Sequence, residues 1–592
     1  MFKNRFRIGQ NVKSGQQVYV EEDNFLKHWL INGGTGRGKS KLLENRIRHH
    51  IRSNHGIMLL DPHGTLFEDI LAYATRAGYK DRLVIIDPNE IDYSVGLNFL
   101  AQNSMDTSAH ASQVMQAIAK VFGEANNEVK PRLERWQRNL LMTLIEAHLT
   151  LADMLDFLSV SSPMYRQAAL CHLSNDYVRR EWEGFDAIKK YSDKENLIEA
   201  PLNRAAKMIL SDPIRRIIGQ HDSTVDIGEA IENGKIILVN LAPLRVSREC
   251  QQILGILLVD QVINNAFQRS KQQARRKPFF VIADEAAELT SDDLPYSLQA
   301  LRKFGIYFTL CYQTLAQIRQ IPGYYENVMT NCDVKIAFKS SREDSEKLVD
   351  ELFAGKISGD FIKDELYRTL LIPEESVREV ISTGSSSSES HGESKSQGDS
   401  VGNSSGFGAS LGFGDSHADH IIPSTGLFAS DSMMSHTDSS SNISASSNFD
   451  MQSSGSFTGR SDSYSTSKGQ SESRSVVPFY EFVREEELAN RTYYSIEEIK
   501  ERYIAWVMCQ PMRHAHIKIG DGDPIPMLTT FVKDVRAREK DKKRVIARSN
   551  AKYALPALEV DKLIEERRTA LLEQPKIRAE QIEEEIENAR WQ

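Results

Sequence analysis

The sequence predicts an α/β protein, a mainly parallel sheet with helices on both faces. Three observations carry that reading. Short apolar runs alternate with amphipathic helical patterns over the first hundred residues. The same alternation resumes from residue 235 to residue 340, after a long helical stretch. Several of the runs, such as "GIMLLD" and "PFFVIADE", are apolar up to their terminal acids, as expected of parallel strands covered on both faces. At 592 residues, 40% hydrophobic, the chain is long enough for several domains and a sizeable core.

Residues 1–103 form the first part of this core. "FLKHWLING" leads as a strand into the glycine-rich "GGTGRGKS". The next segment, "KSKLLENRIRHHI", sets Leu42, Leu43, Ile47 and Ile51 on one helical face. A strand "GIMLLD", a helix "TLFEDILAYATRAG" and a strand "RLVIIDPN" follow. Over 104–231 the periodicity is almost wholly helical, as in "HASQVMQAIAKVF", and predicts an all-helical insertion domain.

The second part of the core, 232–381, reads as strand "KIILVNLA", helix "QQILGILLVDQVINNAFQRS" and strand "PFFVIADE". Helix "LPYSLQALRKF" and strands "IYFTLCYQT" and "VKIAFKS" complete it. Residues 382–475 are mostly serine, glycine and small polar groups, too poor in large apolar side chains to offset the entropy of ordering. A disordered insert is expected there. A C-terminal part of the core, 476–535, opens with "VPFYEFVREEEL". It continues with a helix whose Ser495 and Glu498 have capping-box spacing, then strands "AHIKIG" and "IPMLTTFV". Residues 536–592 predict a charged helical tail, basic in "KDVRAREKDKKRVIAR" and acidic in "AEQIEEEIENAR".

The formal net charge of −9 is not that of a strongly basic nucleic-acid binder, although a net value hides local patches. The five cysteines are scattered and form no C-x-x-C pair, which argues reduced thiols rather than disulfides or zinc. No apolar run approaches the ~18 residues of a membrane span. The first residues lack the apolar centre of a signal peptide. A cytoplasmic protein without a direct membrane span is expected, brought to the inner membrane only by a partner.

"GGTGRGKS", Gly33, Gly34, Thr35, Gly36, Arg37, Gly38, Lys39 and Ser40, has the spacing of a phosphate-binding loop. Its glycines let backbone N–H groups converge on an anion, and the following helix adds its N-terminal dipole. Lys39 is then placed for the β- and γ-phosphates, and Ser40 for Mg2+. Such a loop needs an acidic partner at the end of another core strand. Apolar runs end at Asp61, Asp87 and Asp284, but only Asp284 is followed by glutamate. Asp284 is the expected metal residue, holding magnesium through water. Glu285 is the expected polariser of the water that attacks the γ-phosphate of ATP. Asp61 and Asp87 read as strand-end carboxylates that cap the next turn. Gln313, at the tip of a core strand, is expected to sense the γ-phosphate or position water. Arg302 is, by spacing, a solvated helix-end arginine or an arginine finger for a neighbouring subunit.

In order, "GGTGRGKS", "IMLLDPHG", "GLNFL", "KIILVNLA", "PFFVIADEAAEL" and "LRKFGIYFTLCYQTLAQI" resemble the HerA/FtsK superfamily of ring ATPases. The TraG/TraD-like coupling proteins of conjugative type IV secretion are the particular likeness, and "DPHG" is similar to the HerA branch. The resemblance spans about residues 25–380 and implies a RecA-like P-loop core. It also implies a homohexamer with ATP and Mg2+ between subunits, and single- or double-stranded DNA held without sequence readout. It supports Gln313 as a sensor and Arg302 as a finger. No transmembrane segment precedes the phosphate loop and there is no room for the N-terminal barrel expected of HerA proper, so a form without the membrane anchor is expected. The implied function is a DNA translocase of conjugation or mobile-element transfer. Its partners would be relaxase, nuclease or secretion-channel proteins. The alternatives are a nucleotide-dependent scaffold that recruits a nuclease or relaxase, as in anti-phage defence, and a protein-secretion ATPase.

Overall fold

The computed structural model describes residues 5–101, 105–122, 131–161, 163–269, 276–357, 361–388, 400–403, 452–455 and 467–590. The N-terminal strands are β1 (Arg5–Asn11), β2 (Gln17–Glu21), β3 (Trp29–Asn32), β4 (Gly56–Asp61), β5 (Leu83–Ile86) and β6 (Tyr93–Ser94). The middle of the chain adds β7 (Ile236–Asn240), β8 (Phe279–Ala283), β9 (Ile306–Tyr312) and β10 (Val334–Ala337). Then come β11 (Ile362–Ser388), β12 (Ser400–Asn403), β13 (Gln452–Gly455), β14 (Ser467–Tyr493), β15 (His514–Ile519), β16 (Ile525–Thr529) and β17 (Leu555–Pro556).

Eleven of these strands make one sheet, in the order β2-β1-β16-β15-β10-β3-β9-β8-β4-β7-β5. From β10 to β5 every neighbour pair is parallel. From β10 outward to β2 every pair is antiparallel. The parallel part is the expected α/β core, and its strands are mainly apolar and almost wholly buried because both faces are covered. The period of two along each strand divides the side chains between two cores. Ile57, Leu59, Phe280 and Ile282 face the helices Lys39–Arg52 and Thr65–Ala77. Met58, Leu60, Val281 and Ala283 face the helices Arg248–Gln268 and Leu294–Lys303 and the helical insertion.

The insertion runs from the helix Thr107–Val121 to the helix Ile227–Glu232. Its centre is aromatic: Trp182 stands 4.9 Å from both Trp136 and Phe157, centroid to centroid. The segment read as a separate insertion domain shares one apolar core with the sheet and belongs to the same compact unit. A helix bundle hydrophobic on one side gains most by burying that side on the exposed sheet face.

That unit comprises Met1–Asp364 and Thr492–Gln592, and a second comprises Glu365–Arg491. In the second unit β11 and β14 form a two-stranded ribbon. The cross-strand ion pairs Glu365–Arg491 and Arg368–Glu487 run in opposite chain directions, so the ribbon is antiparallel. The serine-rich insert read over 382–475 lies mostly outside the described residues. Its described flanks continue as strand, and β12 pairs antiparallel with β13. Residues 476–491, expected in the ATPase core, belong to the ribbon instead, and the core resumes at Thr492. The runs 362–372 and 476–488 are rich in β-branched and aromatic residues, which favours strand pairing over a loop.

The charged tail is docked. The helix Glu539–Tyr553 lies along β5: Ser549 Oγ accepts from the Ile85 N–H at 3.1 Å, and Val545 enters the core. Within its basic stretch Lys542 pairs with Glu68 at 2.8 Å and Arg548 with Asp81, so those cations are spent on the fold. β17 then pairs with β6, and the helix Ala557–Arg590 begins on the helical insertion through Asp561, Arg567 and Leu571.

Candidate functional site

In the parallel part of the sheet all carboxyl ends lie on one edge, the edge where open α/β sheets bind ligands. The phosphate loop leaves β3 there. It is stitched between its neighbours: Gly33 N donates to Tyr312 O at 3.2 Å, and Gly34 N to Lys339 O at 2.8 Å. A Cβ on Gly33 would stand 2.5 Å from the Phe338 Cβ, so only glycine allows this approach. Gly38 caps the following helix at φ 106, a backbone state an L side chain would strain. Lys39 is buried and its Nζ donates to the carbonyls of Gly33 and Gly34, the latter at 3.2 Å. Thr35, Gly36 and Ser40 are exposed, and the open loop presents them to solvent.

Two strands away, β8 ends at Ala283 and delivers Asp284 and Glu285 to the same edge. Asp284 is buried. Burial first, and the nearby Asp61 charge second, push its carboxyl above the usual carboxylate range. Glu285 is buried too and takes φ 61, ψ 54, the left-handed region that a residue with a side chain occupies only when its surroundings hold it there. Burial also raises its carboxyl, against the donated hydrogen bond of Gln313, which holds it down.

Gln313 follows β9, the strand between β3 and β8, and links the two halves of the site. Its Nε2 donates to Glu285 Oε1, and its Oε1 accepts from Thr35 Oγ1 at 3.3 Å. Asp61 behaves as a turn cap: its carboxylate accepts from His63 N at 2.9 Å and Phe67 N at 2.8 Å. Asp87 accepts from Asn89 and from Asn240 Nδ2 at 3.0 Å.

Arg302 is not brought to this edge. It sits at the amino end of β9, and the seven-residue strand separates it from Gln313 by about 20 Å. Its guanidinium donates to Asp333 at 3.0 Å, a surface ion pair. Any contact with nucleotide would have to be made to another subunit.

Two residues come to the site unannounced by the sequence reading. His63 Nε2 is 3.9 Å from Glu285 Oε1; the "DPHG" run that holds it was the available signal. Arg513 lies far away in sequence, yet its backbone N–H donates to Arg37 O at 3.0 Å. No local pattern announces such a contact.

The donor set fits nucleotide with magnesium. The loop offers an exposed glycine-rich backbone and one lysine, and Asp284 offers a buried carboxyl crowded by Asp61, an arrangement a divalent cation would relieve. Ser40 and Asp284 are the residues at this edge that could hold such a cation.

Residues 6–261 match the family model described as the helicase HerA central domain, and residues 278–354 match the TraM recognition site of TraD and TraG. No curated protein matches the chain. Among solved structures, the bacterial conjugative coupling protein TrwB, in an unbound form with a 70-residue N-terminal deletion, is 14% identical. The alignment covers 90% of each chain with a TM-score of 0.43. TrwB in complex with ADP and Mg2+ is 18% identical over 59% of this chain and 82% of that one, TM-score 0.38. VirB4 of Thermoanaerobacter pseudethanolicus is 13% identical over 58% and 87%, TM-score 0.35.

Proposed function

We propose that this chain, a member of the HerA/FtsK superfamily of P-loop ATPases with likeness to the TraG/TraD-type coupling proteins, is an ATP-driven motor that moves DNA. The observation that carries the reading is the continuous link Thr35–Gln313–Glu285 across the carboxyl edge, with Asp284 beside it. It ties the phosphate loop to a candidate general base and a candidate metal ligand.

In this reading Lys39 leaves the loop carbonyls for the β- and γ-phosphates. Ser40 and Asp284 hold Mg2+, which supplies charge neutralisation of the phosphate oxygens. Glu285 accepts a proton from the attacking water, a role its place beside Asp284 and its bond to Gln313 suit. Gln313 senses the γ-phosphate, because it touches both the loop and the base. Arg302, which is 51% exposed in its side chain, serves the site of a neighbouring subunit in a homohexamer.

A second reading, a nucleotide-dependent scaffold for a nuclease or relaxase, is favoured by one observation. The ribbon unit exposes Leu366, Tyr367, Leu371 and Phe482, more apolar surface than a solvated linker needs.

The deciding experiment measures ATPase rate against added double- and single-stranded DNA, with particle mass by mass photometry. A motor gives DNA-stimulated hydrolysis in a nucleotide-dependent ring, and Arg302→Ala cuts hydrolysis while ATP binding by isolated subunits persists. Hydrolysis indifferent to DNA sinks the motor and leaves the scaffold. Full activity of the Arg302 variant returns that residue to a surface ion pair.

A further inference from the structure

On the side of the phosphate loop away from Asp284 and Glu285, beyond β10, the chain after β16 passes along the loop helix. This segment is tied residue by residue. Thr529 exchanges bonds with Arg513: its N–H donates to Arg513 O at 2.9 Å, and its carbonyl accepts from Arg513 Nη2 at 2.6 Å. Thr530 N donates to Ile8 O at 2.9 Å, and Val532 is buried. Arg48 Nη1 donates to Lys533 O at 2.9 Å, and Asp534 pairs with Lys41 at 2.9 Å. Between these ties Phe531 holds its ring out with 73% of the residue exposed.

Arg513 lies between that ring and the loop. It occupies φ 68, an unusual backbone state for a residue with a side chain. Its N–H is bonded to Arg37 O, and a Cβ on Gly38 would stand 3.4 Å from its Cγ. Its guanidinium carbon is 5.5 Å from the centroid of the Phe531 ring. A strained residue thus joins the phosphate loop to an exposed aromatic face.

A nucleotide on this loop has its γ-phosphate toward Glu285 and Gln313, so its nucleoside leaves on the other side, where this ring stands. An aromatic ring beside a guanidinium, on a segment tied at both sides, is what a nucleobase stacks on. We propose that Phe531, backed by Arg513, is the platform for the base of the bound nucleotide; the proposal rests on the phosphate-loop reading above. A ring face reads the extent of a π-system and no hydrogen-bonding edge. ATP and GTP therefore bind alike, and both bind more tightly than CTP.

The test is calorimetric titration of the full chain, with Mg2+, by ATP, GTP, CTP and inorganic tripolyphosphate, which has phosphates and no base. Phe531→Ala is expected to weaken ATP and GTP about tenfold and leave tripolyphosphate unchanged. Phe531→Trp is expected to retain ATP affinity, with indole fluorescence quenched by ATP and not by tripolyphosphate. Unchanged ATP affinity in Phe531→Ala overturns the platform. So does an equal loss for ATP and tripolyphosphate, which would make the ring a support of the loop. An unaltered chain that binds neither ATP nor tripolyphosphate, like Lys39→Ala, overturns the phosphate-loop reading itself.

Discussion

Glu285 combines burial, a left-handed backbone and a carboxylate bonded to Gln313. Glu285→Gln keeps the shape and removes the basic oxygen. It is expected to bind ATP as the unaltered chain does while kcat falls at least about 100-fold, read by calorimetry and steady-state hydrolysis. Equal turnover would remove Glu285 from the chemistry. Asp260 is a different kind of buried acid. It lies in the helix Arg248–Gln268, accepts from Ser291 Oγ at 2.9 Å, and burial pushes its carboxyl up to about 7. A raised folded value means the neutral form suits the fold. Its contribution is complete below about pH 4 and is lost as pH climbs through about 7. Asp260→Asn removes that loss, so the variant should be more stable than the unaltered chain at pH 8 and no more stable near pH 4. Denaturant melts at the two values check the sign, and the reverse order would refute the burial argument.

Among the elements, the C-terminal helices show how distant sequence completes the sheet. The helix Ala557–Arg590 reaches back to the insertion, where Arg567 donates to the buried Asp153 at 2.9 Å and to Gly219 O at 2.7 Å. Asp153 also accepts from the Thr150 N–H at 2.7 Å and the Tyr165 hydroxyl at 2.6 Å. Removing Arg567 therefore leaves a buried carboxylate partly solvated by the protein. Arg567→Ala should cost about 2 kcal/mol, lower the Tm by several degrees, and leave ATPase activity at 25 °C intact. An unchanged Tm would mean that this helix adds little to the insertion. Periodicity located this helix, but the ion pair joins residues 414 apart. Nothing local to either segment encodes that pairing.

At the scale of the whole molecule, the first unit holds the two ends of its interruption together. Tyr494 N donates to Phe361 O at 2.9 Å, and Thr492 Oγ1 to Asp364 O at 3.4 Å, so the chain leaves and re-enters the ATPase unit side by side. Replacing residues 365–491 with a short glycine-serine linker should leave the ATPase unit folded and hydrolytically active, since a short closure costs little. Loss of the cooperative melt on that replacement would show that the ribbon is part of the ATPase fold. The same experiment bears on the scaffold reading, because the apolar side chains exposed on the ribbon are removed with it.

The phosphate loop, the strand-end acids, the alternation of the core and the helical character of 104–231 are all legible in the residues alone. Each is written in a local pattern, a spacing of a few residues or a period of 2 or 3.6, and local chain geometry realises it. Gln313 was legible as a polar residue at a strand tip; that it bridges Thr35 and Glu285 depends on β9 lying between β3 and β8. That bridge, the antiparallel extension through β15, β16, β1 and β2, the docking of the tail, and the contact of Arg513 with the loop come from the folded chain as a whole. It also set Arg302 at the edge of the sheet opposite the phosphate loop. These features depend on which distant segments share a sheet edge, and burial across the whole chain selects that pairing.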